Sequence, residues 1–197
     1  MKGIDLGGVR IGCAMTGSFC TFREVFAAWR SLKETGAELI PIMSFNACGL
    51  DTRFYSAKDA VAEFEEICGR RILNSIEQVE PVGPKRLLDL LIVAPCTGNT
   101  LAKIANGITD TPAALAVKSH LRNARPVLIA VSTNDALGAS AQNIGKLMNT
   151  QNIYFVPFAQ DDPLQKPNSC VAKFDLMAES AAEAVKNRQI QPVLREK

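Results

Sequence analysis

LDLLIVAPCTGNTLAKIANGI, residues 88–108, is the stretch whose reading decides the fold. Apart from Asp89, Leu88 to Ala94 is apolar, which predicts a strand buried on both faces of a parallel sheet and ending at Pro95. Cys96-Thr97-Gly98-Asn99-Thr100 is then small and polar, and helical spacing resumes at Leu101, Ile104 and Ala105. Strand, polar turn and helix start, in that order, place ligand-binding groups at the carboxyl edge of an open α/β sheet. Asn99 and Thr100 suit a helix cap, and the same groups suit a ligand.

The same order recurs on both sides of this unit. Upstream, Arg10 to Met15 reads as the first strand, Thr16-Gly17-Ser18 as its turn, and Phe19 to Thr35 as a helix stopped by Gly36. Glu38 to Met43 is a second strand, which Pro41 puts near a sheet edge, and Ser44-Phe45-Asn46-Ala47 closes it. Residues 48–56 are expected as a loop, and Ser56 caps a helix from Ala57 to about Gly69. Residues 72–84 read as irregular, with one short strand near Ile72. Downstream, Thr111 and Pro112 open a helix that runs to about Asn123. Pro126 to Val131 is a buried strand ending in Ser132-Thr133-Asn134, followed by a helix over Ala139 to Thr150 and a short strand, Ile153 to Val156. Residues 157–173, with three prolines, read as one long loop; a last helix covers Phe174 to Arg188, and the tail beyond is expected to be loose. The alternation predicts a Rossmann-like doubly wound, mostly parallel sheet of about six strands with helices on both faces, in one domain spanning 1–197.

Composition narrows the function classes. A hydrophobic content of 47%, 21% charged residues and a net charge of +2 are those of an ordinary globular protein without a basic footprint for nucleic acid. No run approaches the roughly 18 apolar residues of a membrane span. Asp5 and Arg10 interrupt the segment where a signal peptide needs an apolar core, so a cytoplasmic protein is expected. Cys13, Cys20, Cys48, Cys68, Cys96 and Cys170 contain no CxxC pair, and no metal site is expected. The one histidine, His120, lies near the C-terminal end of its helix and reads as a surface residue favoured by the helix dipole.

The chemistry gathers at four strand ends: Thr16-Gly17-Ser18, Ser44-Phe45-Asn46, Cys96-Thr97-Gly98-Asn99 and Ser132-Thr133-Asn134. All are rich in donors and free of charge. Such a rim suits a phosphate held by backbone N–H groups, hydroxyls and a helix dipole, in a flavin or a nucleotide less charged than ATP. No GxxxxGK[ST] loop is present, and TGSFCTF after the first strand is not a GxGxxG turn. The loop 157–173 leaves the same sheet edge, so it reads either as a lid or as a docking element. As a lid it brings Asp161, Asp162, Asn168 and Ser169 over the ligand, with Lys166 for a carboxylate charge. Phe45, Leu50, Phe54 and Tyr55 read equally as interface residues or as packing onto the chain's own core.

APCTGNTLAKIANGITDTP, with TGSF after the first strand, resembles the homo-oligomeric flavin-containing cysteine decarboxylase family, whose element reads P-A-S-A-N-T, a helix, then G-x-x-D. Within that family HLRNARPVLIAVSTNDALG, NIYFVPFAQDDP and KPNS resemble one member in particular, and the resemblance spans essentially the whole chain. It implies FMN as cofactor, with Gly17 and Ser18 at the phosphate turn, Ser44 touching the same phosphate, and Thr16 and Thr97 beside them. Ser132, Thr133 and Asn134 replace the family's P-M-N turn, Asn134 alone being kept. Asn99 is implied as a catalytic residue holding the substrate carboxylate beside the flavin, and Cys170 falls at the cysteine of the substrate clamp. Two departures oppose cysteine decarboxylation: no histidine lies between Cys48 and Phe64, and the glycine-rich clamp is replaced by QDDPLQKPNSCVAKF. The closer resemblance within the family is to an oxidoreductase subunit, which it implies here. It would work with a second, nicotinamide-dependent subunit that carries NADP, on a small dicarboxylate substrate. A flavin-dependent decarboxylase and a non-catalytic scaffold for that second subunit stay open. A trimer-based homo-oligomer is implied as well.

Overall fold

Seven strands form one sheet in a computed structural model of the chain, which describes residues 3–196. Five are parallel and run side by side: β2 (Glu38–Met43), β1 (Arg10–Met15), β3 (Leu90–Cys96), β4 (Val127–Thr133) and β5 (Ile153–Phe155). Every residue of β3 is buried, as its apolar run requires of a central strand. The chain leaves β1 toward β2 and leaves β3 toward β4, so the order reverses between β1 and β3. Right-handed crossovers then put the following helices on opposite faces. Helix α1 (Phe22–Glu34), entered through a 3-10 turn over Phe19–Thr21, covers one face. Its Phe22, Phe26 and Trp29 meet Tyr55 and Phe64 in one aromatic cluster. The other face carries α5 (Gly98–Ala105), α6 (Pro112–Leu121) and α7 (Ala141–Met148). The remaining helices are α2 (Phe45–Gly49), α3 (Ala57–Cys68), α4 (Ile76–Val79) and α8 (Met177–Ala184). The doubly wound class is as expected, with Pro41 in the edge strand β2.

Several boundaries differ from the sequence reading. β3 does not stop at Pro95 but runs to Cys96, because a proline lacks only the donor: its carbonyl still accepts from Thr16 N at 3.3 Å. Phe45–Gly49 is a helix, with Ser44 Oγ accepting from Ala47 N at 3.4 Å. Within 72–84, Leu73 bridges Ile42 outside β2, and the rest is helical: α4 and a 3-10 turn over Glu80–Val82. Its start was legible, since Ser75 and Gln78 form a complete capping box.

The largest difference lies in 157–173. This segment is a β-hairpin, β6 (Phe158–Gln160) and β7 (Cys170–Ala172), and only 161–169 connects the two strands. β4 outruns β5 beyond Ile129, and β7 pairs antiparallel with its exposed end, Ser132 opposite Val171 and Thr133 opposite Cys170. A strand edge that would otherwise lie bare is thereby satisfied. The tail is not loose either: Phe158 N donates to Val193 O and Arg195 N to Phe158 O, both at 3.0 Å, which covers the β6 edge.

Candidate functional site

The turns after β1 and β4 close on each other above the switch point. Ser18 Oγ lies 2.7 Å from Ser132 Oγ, and Thr21 Oγ1 donates to Ser18 O at 2.9 Å. Below them Thr16 ties β1 to β3: its hydroxyl donates to Pro95 O at 2.7 Å and accepts from Thr97 N at 3.1 Å. The resulting cavity of about 610 Å³ is lined by Gly17, Ser18, Thr97, Ser132, Thr133 and Asn134. Its volume is that of a small-molecule pocket. Phe54 and the 161–169 connection, through Asp161 and Lys166, complete the wall.

Two helices start at this crevice, and they start differently. At α5, Thr97 Oγ1 accepts from Thr100 N at 3.3 Å, a side-chain cap. A carboxylate stands beside it: a Cβ built on Gly98 would lie 2.9 Å from Asp135 Oδ1, 2.8 Å from Thr133 Oγ1 and 2.7 Å from Ser140 Oγ. A side chain at 98 would have to displace these groups. The hydroxyls of Thr133 and Ser140 both donate to Asp135 Oδ1. The Thr133 donor, with Ser140 and the backbone behind it, holds this carboxyl below its ordinary value against burial. At the 3-10 turn that leads into α1 neither Ser18 nor Thr21 caps through its side chain; Thr21 N donates to Ser18 O and Phe22 N to Phe19 O, so the N–H groups left for another acceptor are those of Phe19 and Cys20. The residues of that start, Gly17 to Thr21, line the cavity.

This donor set fits a flavin phosphate: free N–H groups at a helix start, the hydroxyls of Ser18 and Ser132, and a glycine at 17. It fits through dipoles rather than through ionic charge. Lys166 is the one cation among the described residues lining the cavity, against Glu24, Asp135 and Asp161.

The other expected site residues lie elsewhere. Thr16 is 1% exposed and does not line the cavity itself; it braces Thr97, which does. Ser44 is buried, and its hydroxyl serves as the cap of α2. Asn99 is exposed and lines a neighbouring cavity of about 370 Å³ with Gly98 and Ser140. Cys170 is buried in β7; burial, then the charge of Asp161, pushes its thiol up, away from thiolate. His120 is a correction: it is 1% exposed, because α6 is packed between the sheet and the turn at Glu80–Val82 rather than open on its outer side. Burial, then the charge of Arg125, lowers its pKa to about 4, so it is neutral at pH 7. Seven lining residues were not offered by the sequence: Thr21 and Glu24, whose helical spacing from Gly17 was the available signal, and Phe19, Cys20, Thr52, Asp135 and Val171.

A doubly wound sheet with an uncharged, donor-rich helix start at its switch point belongs to the class of α/β proteins that hold a phosphate-bearing ligand there. The chain belongs to the flavoprotein family, whose model matches residues 3–193. It is 46% identical over 190 residues to the B subunit of dipicolinate synthase from Bacillus subtilis, covering 96% of this chain and 95% of that one. The crystal structure of the corresponding B subunit of dipicolinate synthase from Bacillus halodurans matches with a TM-score of 0.90 and 41% identity, over 98% of this chain and 99% of that one. An FMN-dependent cysteine decarboxylase matches with a TM-score of 0.68 at 22% identity, over 92% and 99%, a likeness of fold. No helix among the described residues is long and apolar enough to cross a membrane. None of their His, Cys, Asp and Glu side chains gather in a group that could hold a metal ion.

Proposed function

We propose that the chain works as the B subunit of a dipicolinate synthase, in the cytoplasm of the mother cell during sporulation. It binds FMN in the switch-point cavity and acts with an A subunit that carries NADP to oxidise dihydrodipicolinate to dipicolinate. The observation that carries this reading is the end-to-end similarity to a protein of that name. The free N–H groups before α1, with Gly17, Ser18 and Ser132, hold the phosphate. Thr97, braced by Thr16, with Thr133 and Asn134 would hold the rest of the flavin in the cavity. A bound flavin supplies a ring able to take up the hydride that leaves when a dihydropyridine becomes aromatic. Asn99 holds a substrate carboxylate from the neighbouring cavity, and the 161–169 connection is the part of the hairpin left to act as a lid. Ser44 and Cys170 have supporting places: one hydroxyl capping α2, one buried thiol behind Thr133.

Neutral, buried His120 and the raised thiol of Cys170 favour this oxidoreductase reading over a decarboxylase. Phe45, Leu50 and Phe54, 47%, 48% and 46% exposed, supply the apolar surface for a trimer-based assembly. Tyr55 instead packs on Phe26, its ring centroid 5.5 Å away. The test is to reconstitute the purified chain with FMN, remove free flavin by gel filtration, and record the spectrum and the light-scattering mass. Retained flavin absorbance is expected, in a particle larger than the 21.3 kDa chain. Loss of all flavin overturns the cofactor assignment; a monomer overturns the assembly.

A further inference from the structure

Asp161 Oδ1 is buried and has no hydrogen-bond partner. Its residue lies in the 161–169 connection and lines the switch-point cavity, and its other oxygen, Oδ2, is 3.5 Å from Lys166 Nζ. Burial raises this carboxyl, but the neighbouring Ser169 hydroxyl, the backbone and Lys166 together bring it below its ordinary value, so it is charged at neutral pH. Ser169 is 1% exposed, and its hydroxyl meets Asn134 Oδ1 at 3.5 Å. One hydroxyl proton cannot serve both Asn134 and Asp161. Asp161 Oδ1 is thus the buried acceptor of the cluster left without a donor. Turning the Asn134 amide over only moves the shortage: its NH2 then serves Ser169, and its own oxygen is left for the cavity. Asn134 is exposed, so a ligand can reach it. A donor arriving there releases the Ser169 proton to Asp161 Oδ1. Glu24 and Asp135 add further acceptors to the same cavity, in which Lys166 stands alone as the described cation.

Resting on the substrate reading above, we propose that Asn134, Asp161 and Lys166 select a ligand with a ring N–H flanked by a carboxylate. The N–H meets the Asn134 carbonyl, which lets the Ser169 proton turn to Asp161 Oδ1, and the carboxylate meets the Lys166 ammonium. A dihydropyridine-2,6-dicarboxylate carries that pattern whenever its ring nitrogen is protonated, as enamine or as iminium. The aromatic diacid does not: at neutral pH its ring nitrogen is a bare lone pair, facing acceptors. The tip of the β6–β7 hairpin thus holds the reduced ring and releases the aromatic one, with Asp161 and Ser169 as positioning residues.

The test is titration calorimetry on the FMN-loaded full chain in metal-free buffer with two probes. One is piperidine-2,6-dicarboxylate, whose ring nitrogen always bears hydrogen; the other is pyridine-2,6-dicarboxylate. The wild type is expected to prefer the first by at least about tenfold, and Asp161→Asn to narrow this to within about threefold. Glu24→Gln removes one charge from the same cavity but leaves the cluster, and is expected to keep the preference. Lys166→Met weakens both probes and leaves their ratio. Equal binding by the wild type overturns the inference, as does a preference that survives in Asp161→Asn or falls equally in Glu24→Gln. A wild type that binds neither probe overturns the substrate reading first, and this inference with it.

Discussion

Helices α1 and α5 begin one strand apart on the same crevice, and the sheet offers both starts to a ligand equally. Only one of them is open. The start of α5 is closed by the chain itself: Thr97 caps it, and Asp135, fixed by Thr133 and Ser140, stands against Gly98 as an internal anion. The start of α1 has no side-chain cap, and the Thr21 hydroxyl that would supply one donates backward to Ser18 O. A fold position therefore does not make a site. What makes one is a helix start whose donors the protein leaves unspent. This explains why the turn that looked richest in sequence, CTGNT, is largely structural, while the plainer TGS borders the cavity.

Gly98→Ala tests the closed start most severely. Its Cβ would sit at 2.7–2.9 Å from three polar atoms, and the loss of stability is expected to be about 1–3 kcal/mol in urea unfolding. The matching change after β1, Gly17→Ala, meets the Phe19 ring edge at 3.3 Å and Asn46 Cβ at 3.6 Å and is expected to cost less than about 1 kcal/mol. Equal losses for the two alanines would erase the difference between the starts.

Ser18→Asp converts the open start into a copy of the closed one. A carboxylate at this N-cap complements the helix dipole, so folding should be unharmed or gain a few tenths of a kcal/mol. The same carboxylate competes with any phosphate, and FMN affinity is expected to fall by about tenfold or more, read by quenching of flavin fluorescence. Undiminished FMN uptake would place the phosphate away from α1.

Much of this was legible in the chain. The apolar runs of β1, β3 and β4 and the helices between them came through, because burial on both faces leaves an unmistakable pattern. The hairpin did not. β6 and β7 have three residues each, and what makes them strands is the unpaired end of β4, which lies far away in sequence. The four polar strand ends could be read, but not which of them share a cavity. That depends on the Ser18–Ser132 contact and on the register that sets Thr133 opposite Cys170. Ser44, at the end of the edge strand, is spent on α2, and Asn99 falls on the far side of Asp135. Asp135 itself carried no signal, since its role exists only through the close approach of Gly98.

A small effect is expected of Asp135→Asn, and its pH dependence makes it specific. The Thr133 hydroxyl, with Ser140 and the backbone, lowers the native pKa of this carboxyl below its unfolded value in spite of burial. A depressed native pKa means that the charged form stabilises the fold above the unfolded pKa, near 4, and that this contribution is lost as pH falls through the native value. At pH 7 the asparagine variant should be less stable by about 0.5–1 kcal/mol, the worth of a charge at a helix start together with its hydroxyl donors. Toward pH 2 the wild-type residue becomes a neutral acid, much like the amide, and the gap between the two proteins should close. Asp89 and Glu183, both lowered to about 2 by arginine partners, titrate in the same window, but they do so equally in both proteins and cancel in the difference. A gap that stays constant from pH 7 to pH 3 would mean that the residue acts through packing rather than charge, and that α5 is closed by its threonine cap alone.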